Sequence, residues 1–284
     1  MGSLAIAVMQ LDLRAENNLA RIAAEVAAAK RRFPWVDLVI LPELAAFGPS
    51  TTHAETRGGR AEAAFCRMAQ DNRVHLLPGS LFQLDNGQLF NVAPVIDPSG
   101  VVVARYRKMF PFRPFEEGVA PGDSFCVLPV AGAGTVGVSI CYDLWFPEIT
   151  RSLAWLGAEV LLCPSLTNTI DRDVELSMAR AGAAANQCYV INVNAGGPMG
   201  MGKSIVCGPG GEVIYQAGSG CEVFAIDVDF DYVKRVRRQG WQGLGQPLKS
   251  FRDHRVKFPA YQDGAESNYL NQLGALTKRP TKAS

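Results

Sequence analysis

The stretch Thr135-Val-Gly-Val-Ser-Ile-Cys-Tyr-Asp-Leu-Trp-Phe-Pro-Glu148 constrains this chain more than any other. Its apolar run, Val136 to Ile140, follows Gly132 and Gly134 and predicts a short buried strand. It closes on Phe146-Pro147-Glu148, where Pro147 suits the first turn of a helix and Glu148 suits the positive end of that helix. Cys141 therefore falls at a strand end, in a tight passage towards a helix. A nucleophile placed there projects from a rigid sheet, with backbone N–H groups nearby to hold an oxyanion. A lone cysteine in an apolar run is by default a packing residue, so other residues have to decide its role.

The chain has 284 residues, 48% of them hydrophobic, and a formal net charge of +1. That length allows two domains, although α/β folds often run as long in one. Near-neutrality gives no electrostatic reason to expect nucleic acid or an anionic membrane as partner. No apolar stretch approaches the roughly 20 residues needed to span a bilayer. The N-terminus lacks a basic region followed by an apolar core, and Ile6 breaks the myristoylation pattern, so neither secretion nor lipidation is expected. Seven cysteines, at 66, 126, 141, 163, 188, 207 and 221, are scattered singly, and the three histidines are far apart. The expectation is a cytoplasmic protein with no metal site and no redox disulfide.

Strands and helices alternate along the chain. Leu4–Met9 predicts a strand, Asn17–Arg32 an amphipathic helix, and Val36–Leu41 a second strand running into Pro42-Glu43. A carboxylate at the end of a buried strand is either the solvated start of a loop or a functional base, because uncompensated burial of charge is expensive. Arg60–Asn72 reads as a helix and Val74–Gly79 as a strand. Leu89–Ile96, the turn Asp97-Pro-Ser-Gly100 and Val101–Ala104 read as a hairpin delivering Arg105-Tyr-Arg-Lys108. Arg105 and Arg107 are expected on a solvated edge. Lys108 precedes Met109-Phe-Pro-Phe112 and is expected in a drier setting, where an ammonium needs a partner or changes its pKa. Residues 111–122 form a proline-containing loop with the pair Glu116-Glu117. Beyond Cys141 come a helix over Phe146–Gly157, a strand over Glu159–Cys163, an Ala-rich helix over Asp173–Gln187 and a strand over Tyr189–Asn194. A hairpin over 203–215, a strand over Cys221–Val228 and a basic, solvated helix over Phe230–Gln239 follow. From Trp241 the pattern fades into a tail lying on the body or reaching a partner. The order implies a mixed sheet, or two sheets, with helices on the outer faces.

Glu43, Lys108 and Cys141 each stand just past a strand end. A thiol attacks a carbonyl as thiolate, so it needs a base or a cation beside it. Glu43 suits the base, returning its proton to a leaving amine, and Lys108 suits the charge-stabilising cation. The blocks Leu41-Pro-Glu43, Tyr106-Arg-Lys108 and Cys141-Tyr-Asp-Leu-Trp-Phe-Pro-Glu148, in that order, resemble the three signature blocks of the nitrilase superfamily of carbon–nitrogen hydrolases. Asn91-Val-Ala93, Asp97-Pro-Ser-Gly100, Pro121-Gly122 and Ser204–Val213 match as well.

The resemblance implies an α/β fold, a four-layer α-β-β-α sandwich, over residues 1–240, followed by a tail over 241–284. It implies a Glu43–Lys108–Cys141 triad without cofactor, and homodimers or larger assemblies that pack through helices near the cysteine and often exchange tails. It also implies a second glutamate after the lysine, for which Glu117 is favoured and Glu116 stays open. One departure is Ala185, where many members carry a glutamate before the Asn186-Gln187 pair.

True nitrilases usually show Cys-Trp-Glu, whereas this chain has Cys141-Tyr142-Asp143, more like amidases and carbamoyl amidohydrolases. The expected function is a thiol amidohydrolase that cleaves a small amide through a thioester and releases ammonia. An N-carbamoyl amidohydrolase is the first alternative, followed by a nitrilase or acyltransferase, and last by a non-catalytic interaction module. Tyr142, Trp145, Phe112, Leu166, Thr167 and Glu116 are the candidate substrate contacts, with Phe110 and Phe115 as further candidate walls, because each lies close to a triad block.

Overall fold

In the computed structural model, which describes residues 2–130 and 132–277, the apolar runs pair into two mixed sheets. The first part of the chain supplies β1 (Ser3–Gln10), α1 (Leu19–Arg32), β2 (Leu38–Ile40), α2 (Arg60–Asn72) and β3 (His75–Leu77). β4 (Leu81–Asp85), β5 (Gln88–Ile96), β6 (Val102–Arg107), β7 (Cys126–Val130), β8 (Gly134–Val138) and α3 (Pro147–Trp155) follow. The remainder is β9 (Val160–Ser165), α4 (Asp171–Asn186), β10 (Tyr189–Asn194), β11 (Ile205–Cys207), β12 (Val213–Gln216), β13 (Glu222–Asp229) and α5 (Phe230–Gln239). Two short helices, α6 (Pro247–Asp253) and α7 (Asn268–Asn271), lie in the tail.

One sheet runs β13-β1-β2-β3-β5-β4, with β6 paired to β5, and the other runs β12-β11-β10-β9-β8-β7. Within them β1, β2 and β3 are parallel, as are β8, β9 and β10. Covered on both faces, these central strands are apolar almost throughout, as parallel strands must be. One core, with Ile6, Val8, Ile40, Val138, Val160 and Ile191, joins the inner faces of the two sheets. A second core seats Ile22 and Val26 of α1 and Phe65 of α2 on the first sheet. A third seats Ile149 and Leu153 of α3 and Ala179 and Ala183 of α4 on the second. The result is the four-layer α-β-β-α sandwich expected from the sequence.

Local departures have physical reasons. β7 was not apparent in the sequence because Pro129 interrupts it, and it survives as the edge of its sheet, where a missing donor is tolerated. β4, also unforeseen, forms the opposite sheet's edge. α5 is not merely a solvated basic face: Phe230, Val233 and Val236 are buried, and Arg237 donates to the carbonyls of Gln187 and Ala158. Arg105 and Arg107 are not a free solvated edge either. Arg105 pairs with the buried Glu62 at 2.7 Å, while Arg107 pairs with Asp85 and lies 4.0 Å over the Phe90 ring. The described part of the tail lies against α3, with Phe251 5.8 Å from the Trp155 ring and the Tyr261 hydroxyl donating to Glu148 at 3.1 Å. Residues 278–284 of the expected tail lie outside the described residues.

The chain ends of β2 and β3 approach closely, and one glycine makes that possible. Gly79 has φ +78°, and a Cβ there would sit 1.6 Å from the Pro42 carbonyl oxygen, directly beneath Glu43. Gly79→Ala is therefore expected to destabilise the protein by more than the ~1–3 kcal/mol of a strained backbone alone, because the clash is added to it. A urea unfolding midpoint equal to wild type would contradict this account of the Pro42–Glu43 junction.

Candidate active site

Three strand ends converge on one buried cluster. Glu43 follows β2 by three residues, and its N–H donates to the Ser165 carbonyl of the second sheet at 3.2 Å. Lys108 follows β6 directly, and its N–H donates to the Asn91 carbonyl of β5 at 2.9 Å. Its side chain is only 2% exposed, and its Nζ donates to Glu43 Oε1 at 2.8 Å and Glu116 Oε2 at 2.7 Å. Asn91 Nδ2 joins the same two carboxylates at 2.8 and 3.1 Å. Glu116 also accepts the Phe112 N–H. Glu116, not Glu117, is thus the second glutamate of the cluster. The turn closed by the Phe115 and Glu116 N–H groups on the Phe112 carbonyl points Glu116 inward and leaves Glu117 exposed.

Burial and pairing compete at each charge. Burial works against the Lys108 ammonium, but Glu43, Cys141 and Glu116 outweigh it and hold its pKa well above the usual lysine value. Burial pushes Glu43 upward, and Lys108 only partly reverses this. Burial also opposes ionisation of Glu116, yet Lys108 pulls it below the ordinary glutamate value. Burial, with Glu43 next, raises the Cys141 thiol well above its usual pKa against the pull of Lys108. Both shifts favour a Cys141 thiol beside a carboxylate of raised basicity.

Cys141 opens a short 3-10 turn, Cys141–Trp145, just past β8. Its φ of +46° is unusual for a residue with a side chain and marks strain at this position. Asp143 holds the turn: its carboxylate accepts the Ile140 N–H at 2.9 Å, the Phe110 N–H at 2.9 Å and the Tyr106 hydroxyl at 2.7 Å. Burial pushes its pKa up to about 6. At the start of the turn, the Tyr142 N–H has no preceding carbonyl of the turn to bond.

The profile of the carbon-nitrogen hydrolase family matches residues 5–238. The chain belongs to the carbon-nitrogen hydrolase family. Among curated relatives, it is 30% identical to omega-amidase NIT2-A of Xenopus laevis over 71% of this chain and 80% of that protein. It is 28% identical to human omega-amidase NIT2 over 84% of this chain and 93% of the relative. Among solved structures, a Helicobacter pylori carbon–nitrogen hydrolase superposes with a TM-score of 0.78 at 26% identity, over 92% of this chain and 98% of that one. An amidase from Nesterenkonia superposes with a TM-score of 0.74 at 28% identity, over 84% and 95%. A variant of that amidase is described with acrylamide added to its active-site cysteine.

In this carbon–nitrogen hydrolase a narrow cleft of about 60 Å³ opens beside Cys141. Phe112, Tyr142, Trp145, Leu166 and Thr167 line it, so five of the six expected substrate contacts meet there, while Glu116 lies behind at Lys108. Phe110 instead stacks on Phe146, ring centroids 3.6 Å apart, and Phe115 is 64% exposed. The cleft also contains Asp171 and Glu175, which the sequence did not single out. No local signal marks Glu175: it sits in an Ala-rich helix, and Thr167 links it to the thiol only in the folded chain.

Asp143 is the side chain on which the Cys141 turn depends. Asp143→Ala leaves two buried donors and one half-buried donor without their acceptor, each buried one costing about 1–3 kcal/mol. The variant is expected to unfold at clearly lower urea concentration than wild type, with Asp143→Asn less affected. Equal midpoints for Asp143→Ala and wild type would remove Asp143 from this role.

Proposed function

We propose that Cys141, Glu43, Lys108 and Glu116 perform the chemistry of this cysteine-dependent amidohydrolase. The observation that carries the reading is the Lys108 ammonium, 2.8 and 2.7 Å from two carboxylates and next to a buried thiol. Glu43 accepts the thiol proton as sulfur attacks the amide carbon, so no standing thiolate is needed. Its raised pKa suits a group that must both take and return a proton near neutrality. The oxyanion that forms is held by the Lys108 ammonium and the Tyr142 N–H. Glu43 then protonates the departing ammonia, and a water that it activates hydrolyses the thioester. Glu116 keeps Lys108 charged and oriented. Asn91, bonded to both glutamates, fixes the distance between them.

The same Glu-Lys-Cys set could serve a nitrile, so the choice of an amide rests on Tyr142-Asp143 standing where nitrilases usually carry Trp-Glu, and the geometry is compatible with it. A tetrahedral adduct of an amide places an oxyanion between a cation and a backbone donor, whereas a nitrile gives a thioimidate whose nitrogen needs a proton instead. The similarity to omega-amidases and to a bacterial amidase supports the same class. An N-carbamoyl group presents the same C(=O)–NH₂ unit and is the alternative substrate. Seven unpaired cysteines support a reducing compartment.

A homodimer belongs to the same proposal. α3, α4 and the tail border a groove of about 930 Å³ with Trp155, Leu156, Ala185 and Phe251 on its walls. Trp155 and Leu156 are 58% and 54% exposed on this face, and a second copy packed there would cover them. Ala185, where many relatives carry a glutamate, keeps this face apolar.

Cys141→Ala is expected to be folded and inactive, and Glu43→Gln to lose about 10²- to 10⁴-fold in turnover, the usual loss of a general base. Ammonia release from a panel of aliphatic amides, aromatic amides, N-carbamoyl amines and matching nitriles tests the assignment. Nitriles turned over faster than every corresponding amide would overturn the substrate class. A Glu43→Gln enzyme within a few-fold of wild type would assign the base elsewhere. Light scattering at micromolar concentration is expected to give twice the chain mass or more, and truncation after Gln239 to shift it towards the monomer.

A further inference from the structure

One wall of the Cys141 cleft is a chain of three buried side chains that the chemistry above does not use. Thr167 Oγ1 lies 3.7 Å from Cys141 Sγ and donates its one hydroxyl hydrogen to Glu175 Oε1 at 2.9 Å. Glu175 Oε2 accepts from Arg172 Nη1 at 2.9 Å. Arg172 spends three further donors on Asn192 Oδ1 and on the carbonyls of Gly202 and Lys203, the last two at 3.1 and 2.7 Å. Thr167, Glu175 and Arg172 are 7%, 3% and 1% exposed. Asn194 clamps the Thr167 backbone from both sides, accepting its N–H at 2.8 Å and donating to its carbonyl at 2.9 Å. A buried ion pair is weak as a source of fold stability, because apolar residues of the same volume often do as well.

The direction of the bonds carries the inference. An ionised carboxylate has no hydrogen to give, so Thr167 turns its hydrogen towards Glu175 and presents only lone pairs to the sulfur. An S–H can donate to those lone pairs, whereas a thiolate would face them and the Glu175 charge behind them. Every charged group around the sulfur bears on this balance. Glu43 and Lys108 approach from strand ends of the first sheet, Glu116 from the loop after β6, Asp143 from the cysteine's own turn, and Asp171 and Glu175 with Arg172 from α4. The Leu166 N–H favours the thiolate, as Lys108 does, and Glu43 and Glu175 oppose it.

We propose that Glu175 is a positioning residue: acting through Thr167, it holds Cys141 as an oriented neutral thiol until a substrate carbonyl arrives. Glu43 then removes the proton only in the attacking step. A neutral thiol resists stray alkylation and oxidation, since both follow thiolate character. The proposal rests on Cys141 as nucleophile, yet its readout needs no substrate.

The test is the pH dependence of Cys141 alkylation by iodoacetamide in the full-length protein, followed by mass mapping. In Glu175→Gln the amide oxygen faces Arg172 and the amide N–H donates to Thr167, which turns the Thr167 hydrogen onto the sulfur. Loss of a negative charge and gain of a donor act in one direction. The labelling midpoint is expected to fall by about one pH unit, which is about tenfold faster labelling below both midpoints. Adding Thr167→Val to Glu175→Gln should return part of that shift, while Thr167→Ser alone should keep the wild-type midpoint. The paired variant Arg172→Met/Glu175→Leu removes both charges, frees Thr167 to donate to sulfur and should also lower the midpoint, which covers a poorly folding Glu175→Gln. In amide turnover, Glu175→Gln should lower kcat with KM within about threefold, as loss of an alignment rather than of substrate binding. An unmoved midpoint in a folded Glu175→Gln or in the folded paired variant overturns the proposal. Failure of the amide screen with these shifts present would instead count against the proposed substrate class alone.

Discussion

The buried ammonium of Lys108 is the charge around which the site is built. At 2% exposure it is stable only with anionic partners, and removing one partner of such a pair typically costs about 3–5 kcal/mol. Both partners have to be delivered by the chain. Glu43 arrives from the end of β2, Glu116 from the loop after β6, and Asn91 of β5 bridges the two carboxylates. The convergence of strand ends, the close passage at Gly79 and the inward turn at Glu116 all satisfy this single requirement. The apolar cores position the strands, and the Lys108 cluster decides how their ends must meet.

The same burial sets the style of chemistry. A dry setting penalises a standing thiolate, and Cys141 is raised well above its ordinary pKa by burial despite Lys108. In the proposed mechanism this favours transfer of the thiol proton to Glu43 during attack over a preformed ion pair. It also makes every nearby dipole count. The strained backbone at Cys141, held by Asp143, and the wall formed by Thr167, Glu175 and Arg172 fix the sulfur from two sides. In the proposed mechanism, rigidity of this kind lets a weakly acidic thiol react without a histidine.

Periodicity made the central elements legible. α2 and α5 fall where the sequence puts them, and the central strands of both sheets shift by at most a few residues. Pattern was silent at the edges: β7 contains a proline that only an edge strand tolerates, and β4 is only five residues long. The basic residues show the same limit. Arg105 and Arg107 look solvated in one dimension, yet Glu62, Asp85 and the Phe90 ring come to meet them from α2, β4 and β5.

The sequence by itself determined the reactive types and their order: a glutamate, a lysine and a cysteine, each just past a strand end, within three blocks that resemble one family. Strand-end placement is a local property, so it can be read locally. Which of two adjacent glutamates completes the cluster was not local. Glu116 and Glu117 share composition and neighbours, and only the turn over Phe112 separates an inward from an exposed side chain. Asp143 and Glu175 were likewise decided by tertiary structure: Asp143 is met by Tyr106 and Phe110 from more than thirty residues away, and Glu175 reaches the distant Cys141 sulfur only through Thr167. A carboxylate's meaning lies in what surrounds it, and folding alone supplies those surroundings.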